Sequence, residues 1–188
     1  MFHLPKLILA SGSPRRAEIL TSVGWEFEKH VADIDETGGE NERAEDYVVR
    51  LAKEKAAAAA LHYPSGIVLG ADTTVVIDDQ IIAKPTDLDD ARRMLRILSG
   101  RWHEVLTGVA IAQDGALRTG MQRTRVKFAT MTEDEVQFLA EEGDPLDKAG
   151  AYAVQAQAAL FIEEIEGDYW NVVGLPVSLV YQLVRLSS

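Results

Sequence analysis

Within ten residues this chain changes from one periodicity to another, and that change limits the folds open to it. Leu7-Ile8-Leu9-Ala10 reads as a short buried strand. Ser11-Gly12-Ser13 makes a turn. Pro14 suits a first helical position, where the missing N–H costs nothing, so a helix is expected over residues 14–23 with Ser13 as its N-cap. A strand that passes directly into a helix asks for helices packed on a sheet. Arg15 and Arg16 fall in the first helical turn, where cations oppose the helix dipole. Arginine grips phosphate in a bidentate way, and helix N-termini favour anions. The turn therefore reads either as an anion site or as an ordinary connection with solvated charge.

The later signals alternate between helices and hairpins. Residues 25–31 alternate well enough for a second strand, and the polar residues 33–44 read as a mobile loop. A strong helix is expected over residues 45–61, because Val48, Leu51, Ala52, Lys55, Ala56, Ala59 and Ala60 form one stripe at helical spacing. Residues 67–69 and 73–77 read as β-runs interrupted by Gly70-Ala71-Asp72, with a tight Asp78-Asp79-Gln80 turn into 81–83. Thr86 or Asp87 caps a helix ending near Gly100, and residues 102–112 and 119–129 make a long hairpin turning at Asp114-Gly115. Thr132 to Glu135 is a capping box for a helix to about Glu142. Short strands near 152–155 and 169–173 and a last helix over 176–186 complete the pattern. This order predicts an α/β fold with a mixed sheet.

Composition narrows the function classes. The net charge of −11 disfavours nucleic acid and anionic lipid as partners, so a phosphate site has to be a local basic island. The acidic stretch 163–168 reads as a solvated face. The absence of cysteine removes disulfides, zinc–thiolate sites and thiol nucleophiles. No run approaches the ~20 apolar residues of a membrane span, and Met1 to Lys6 lacks a signal-peptide layout, so a cytoplasmic location without membrane partners is expected. The four histidines are scattered, and neither a G-x-x-x-x-G-K-[ST] nor a G-x-G-x-x-G loop is present.

Polar residues with apolar flanks mark the candidate chemistry: Ser11 to Arg16, Asp35-Glu36, Asp72-Thr73, Lys84 and Lys55. Asp72 stands in an apolar β-rich stretch, where a buried carboxylate needs a cation, a metal or N–H partners. A turn-forming Asx residue is the alternative there.

Taken in order, these segments resemble the Maf proteins, nucleoside triphosphate pyrophosphatases. The resemblance rests on L-A-S-G-S-P-R-R at 9–16, Asp35-Glu36, V-V-R-L-A-x-E-K-A at 48–56, L-G-A-D-T at 69–73 and K-P at 84–85. It continues through L-S-G at 98–100, T-G-V-A at 107–110, D-P-L-D-K-A-G-A-Y at 144–152 and N-V-V-G-L-P at 171–176. It implies a mixed, strongly curved sheet flanked by helices, of the ITPase-like kind. It also implies one domain over 1–188, made of two closely packed lobes with the active-site cleft between them.

The resemblance further implies cleavage of a nucleoside triphosphate to monophosphate and pyrophosphate with Mg²⁺ or Mn²⁺. Asp72, Glu36 and Lys84 are then catalytic, with Glu36 and Asp72 as metal ligands. Ser11, Arg15, Arg16, Lys55, Thr73 and Gln155 bind substrate, with Arg15, Thr73 and Gln155 at positions tied to substrate choice. Asp72 fits both proton acceptor and metal ligand. Segment 148–155 resembles the branch preferring dTTP and UTP, with modified pyrimidine nucleotides as further substrates. A glutamine amide there can meet the N3–H and O4 of uracil or thymine together. Two departures bear on that loop: Ala156 stands where Gly is usual, and Asp168 where Ser is common. The implied role is nucleotide-pool house-cleaning linked to cell-division arrest, with homodimerisation carried by resemblance alone. The competing readings are a purine or 7-methyl-GTP pyrophosphatase and a non-catalytic nucleotide-binding regulator of septum formation.

Overall fold

The computed structural model describes residues 3–186. Met1 and Phe2, the start of the N-terminal stretch read above, lie outside them, as do residues 187–188. The elements are β1 (Leu7–Ala10), α1 (Pro14–Ser22), β2 (Phe27–Lys29), α2 (Ala44–Ala60), β3 (Ile67–Ile77), β4 (Gln80–Ile82), α3 (Leu88–Leu98), β5 (Trp102–Gln113), β6 (Ala116–Phe128), α4 (Glu133–Glu142), β7 (Ile162–Glu166), α5 (Tyr169–Val173) and α6 (Val177–Arg185). The seven strands follow the order β2-β1-β3-β5-β6-β7, with β4 paired to β3. Strand β1 is parallel to both β2 and β3, whereas β3–β4 and β6–β7 are antiparallel, so the sheet is mixed as expected.

The chain divides into two compact units. The first holds the chain up to Asp72, Thr107–Gln122 and the chain from Gly174 onward. Its core joins β1, buried along its whole length, to the alanine face of α2: Ile8, Ala10, Val68 and Ala110 pack against Ala52, Ala56 and Ala59. Small side chains let the helix lie close on the strands, and two glycines bring it closer still. A Cβ on Gly70 would overlap the Ala52 carbonyl oxygen and lie 2.7 Å from the Ala56 nitrogen. A Cβ on Gly108 would overlap the Val48 carbonyl and lie 2.7 Å from the Val49 nitrogen. The obstacles are helix backbone and cannot rotate aside. Gly70→Ala is therefore expected to lower stability by about 3 kcal/mol, as overpacking against a fixed neighbour does. Chemical denaturation checks this, and an unchanged midpoint would contradict the close approach.

The second unit holds Thr73–Leu106 and Arg123–Val173. Asp78 and Asp79, with φ of 51° and 60°, form the tight β3–β4 turn whose left-handed residues match strand twist. Asp87 caps α3 by accepting from the Asp90 N–H at 2.8 Å. Thr132 and Glu135 make the reciprocal capping box of α4.

Several expectations need correction. Residues 67–77 form one continuous strand, so Asp72 is a strand residue and not a turn-forming one. Residues 152–155 are not a strand; 3-10 turns at Ala149–Ala151 and Gln157–Leu160 flank them. Residues 169–173 are helical: the Asp168 carboxylate accepts from the Trp170 N–H at 2.8 Å, and the buried Asn171 amide donates to the Val105 carbonyl at 2.9 Å. The acidic stretch is a solvated face as read, with Glu163, Glu164 and Glu166 exposed, and it also supplies β7, whose Glu166 pairs with Arg125 across the ladder at 2.5 Å. Ser13 stands at the N-cap of α1 without a side-chain cap bond. No helix among the described residues is long and apolar enough to cross a membrane.

Candidate active site

The strand–turn–helix at the chain's start places two polar side chains deliberately. Ser11, at the end of β1, accepts from the Ser13 N–H at 3.2 Å and from Arg16 Nη1 at 2.9 Å. Arg16 Nε donates to the Gly174 carbonyl at 2.9 Å. Arg16 is only 8% exposed, so its guanidinium is fixed in direction before any ligand arrives. Burial pulls its pKa below the ordinary value, Arg15 adds to that, and the carboxylates of Asp72 and Glu36 oppose it. A guanidinium stays charged under such conditions. Arg15, one residue earlier, is half-buried.

The centre of the first unit's site is Lys55. Its Nζ lies 2.7 Å from Asp72 Oδ1 and 2.7 Å from Glu36 Oε1. Gly70 and Asp72, two residues apart on β3, share the face that meets α2. The close approach at Gly70 is thus what brings Lys55, on the same stripe as Ala52 and Ala56, within reach of Asp72. Asp72 is buried, as is Lys55, whereas the Glu36 side chain is half-exposed. The buried carboxylate and its cation satisfy the requirement for pairing.

The loop that carries Glu36 is bonded to α2 at several points. Arg50 grips Glu42 through Nε at 2.7 Å and Nη2 at 2.8 Å, and donates to the Thr37 carbonyl at 3.1 Å. The Tyr47 hydroxyl donates to the Glu36 carbonyl at 3.1 Å. Burial and the nearby carboxylates of Asp72 and Glu36 push the Tyr47 pKa up. Tyr47 was not singled out by the sequence reading, and Arg50 and Gly174 stood inside quoted motifs without a role. Arg50 and Tyr47 lie one turn apart on α2, the only signal that they share a task.

Of the expected site residues, Ser11, Arg15, Arg16, Glu36, Lys55 and Asp72 thus belong to the first unit. Thr73, Lys84 and Gln155 belong to the second. Thr73 follows Asp72 along β3 and is half-buried. Lys84 is exposed just past β4, and Gln155 is exposed in a turn. The departure at Ala156 is tolerated because its φ is −120°, where glycine is not required. Asp168 takes up the short-range cap on α5 that a serine hydroxyl also makes.

Glu36 and Asp72 supply two carboxylates, hard oxygen donors that would suit a divalent cation, and in this structure both face Lys55 Nζ. Among the described residues no group of three or more His, Cys, Asp or Glu is set to hold an ion.

A dTTP/UTP pyrophosphatase of Hahella chejuensis is 50% identical over 183 residues, covering 96% of this chain and 91% of that protein. A dTTP/UTP pyrophosphatase of Symbiobacterium thermophilum is 45% identical over 181 residues, covering 96% and 93%. The solved Staphylococcus aureus Ham1 protein shares the fold, with a TM-score of 0.56 at 14% identity over 97% of this chain and all of that one. The sequence pattern of the family described as Maf-like protein matches residues 6–186, and the chain belongs to that family.

Proposed function

We infer that this protein hydrolyses dTTP and UTP to the nucleoside monophosphate and pyrophosphate. The observation that carries this reading is Lys55, held 2.7 Å from both Glu36 and Asp72 in the unit that also fixes Arg16. Cations suited to a polyphosphate and carboxylates suited to a proton or a hard metal ion stand together there. A site that only bound anions would gain nothing from the two carboxylates. The names of the relatives supply the substrate class.

In this reading Asp72 accepts the proton of the water that attacks the α-phosphorus, and Lys55 orients its carboxylate. Arg15, Arg16, Lys55 and Lys84 neutralise the charge of the triphosphate and of the leaving pyrophosphate. Ser11 keeps Arg16 in place. Glu36 and Asp72 would hold Mg²⁺ or Mn²⁺, which when bound supplies charge neutralisation on the phosphate oxygens. Arg15, Thr73 and Gln155 select the nucleotide, with the Gln155 amide meeting the base edge. A cytoplasmic location and a homodimer complete the reading, the first from the cysteine-free composition and the second from the resemblance alone.

Hydrolysis in oxygen-18 water tests the reaction. Phosphorus NMR should find the label in the nucleoside monophosphate and none in pyrophosphate. Label in pyrophosphate, or release of orthophosphate, would overturn attack at the α-phosphorus.

A further inference from the structure

The second unit buries a polar pair that the proposed chemistry does not use. His103, on β5, is 2% exposed, and its Nε2 lies 2.7 Å from the Tyr152 hydroxyl. Phe128 packs edge-on against both rings, at 5.3 and 4.9 Å between centroids. The other His103 nitrogen, Nδ1, is buried with no hydrogen-bond partner. Burial pushes the His103 pKa down to about 3, so the ring is neutral at working pH. An apolar pair would fill this space without desolvating polar atoms. What the hydrogen bond adds is direction: it fixes Tyr152 about one axis.

Tyr152 ends a strained stretch. Gly150 and Ala151 have φ of 71° and 63°, and a left-handed alanine persists only where its surroundings over-determine it. A Cβ on Gly150 would lie 2.9 Å from Val75 Cγ2. The stretch is held at both ends. Upstream, the buried Lys148 Nζ donates to the Asp144 carbonyl, to Asp144 Oδ2 at 3.1 Å and to Asp147 Oδ1 at 2.6 Å. In the middle, the Gly150 N–H donates to the carbonyl of Ala83, the residue before Lys84, at 3.2 Å. Downstream, His103 holds Tyr152. Three residues further on, the turn closed by the Ala156 N–H to the Ala153 carbonyl presents Gln155 to solvent.

We propose that His103 and Tyr152 are positioning residues for base selection, fixing the turn that presents Gln155. The proposal rests on the reading that Gln155 meets the base. A glutamine amide serves uracil or thymine in one orientation and cytosine in the opposite one. Discrimination between them requires the amide to be held in one orientation, and the strained segment, tied at Lys148, Gly150 and Tyr152, fixes the backbone from which that amide extends.

The test is the ratio of kcat/KM for UTP to that for CTP. Tyr152→Phe, which keeps the ring in its aromatic pocket, should lower this ratio at least about tenfold, while kcat for UTP changes less than the ratio does. His103→Leu should do the same. His103→Gln, whose amide reaches where Nε2 stands, should retain the wild-type ratio and serves as the folded control. If both substrates decline together in Tyr152→Phe and His103→Leu, the pair is merely structural and the proposal fails. If the wild-type ratio is large and Gln155→Ala abolishes it while Tyr152→Phe leaves it intact, the positioning proposal fails and the pyrimidine reading stands. A wild-type enzyme with no preference for UTP over CTP overturns both.

Discussion

Asp72→Asn is expected to lower turnover at least about 100-fold while leaving the protein folded, the usual size of effect when a general base is removed. Asparagine keeps the volume of the side chain and can still accept from Lys55 Nζ, now 2.7 Å from Asp72 Oδ1. It cannot take a proton from water and is a poor ligand for a hard cation. Steady-state turnover with dTTP, paired with a denaturation curve, separates the two consequences. Full activity in this variant would remove Asp72 from the reaction, whatever its stability.

Lys55→Met is expected to damage both stability and activity. Methionine fills similar volume but leaves the Asp72 carboxylate, 8% exposed, without its nearest counter-charge. Removing one partner of a buried pair costs about 3–5 kcal/mol. The lower end applies here, because Glu36 is half-exposed and regains water. Turnover should fall by a factor on the order of 100, as the loss of an aligned charge at a transferring phosphoryl group does. The double variant Lys55→Met, Asp72→Asn should recover most of the stability and none of the activity, since the two residues touch and their effects do not add. Equal destabilisation in the single and double variants would show that Lys55 stabilises through packing and not through its charge.

Both residues were legible in the sequence, though for unequal reasons. The stripe through Val48, Leu51, Ala52, Lys55 and Ala56 puts Lys55 on the buried face of α2 by spacing alone. From the residues themselves Asp72 was visible as an anomaly in an apolar stretch, and the resemblance gave it a role. Its strand continues through Gly70-Ala71-Asp72 because α2 covers Gly70 closely and Lys55 compensates the charge, and both conditions are tertiary. Local turns and caps were read well where the chemistry is local: Asp78-Asp79, Asp87 and the Thr132 box. Segments whose form is set by distant partners were misread or left unassigned. Residues 169–173 are rich in strand formers, yet Asp168 caps them and Asn171 anchors them to β5 as a helix. Residues 162–166 alternate poorly, and it is pairing with β6, including Arg125 to Glu166, that makes them a strand. The resemblance names candidate residues that fall in both units; it includes Arg50 within a motif without giving it a role and passes over Tyr47, and the contacts of both with the Glu36 loop show only in three dimensions.

The most direct measurement is a panel of nucleoside triphosphates with the intact protein in Mg²⁺ or Mn²⁺, scored by kcat/KM for pyrophosphate release. The expected result is release from dTTP and UTP at least about tenfold above CTP, ATP, GTP and 7-methyl-GTP, a ratio within reach of a site that hydrogen-bonds the base. Faster turnover of 7-methyl-GTP or a purine nucleotide, or tight triphosphate binding with no pyrophosphate released, would contradict it.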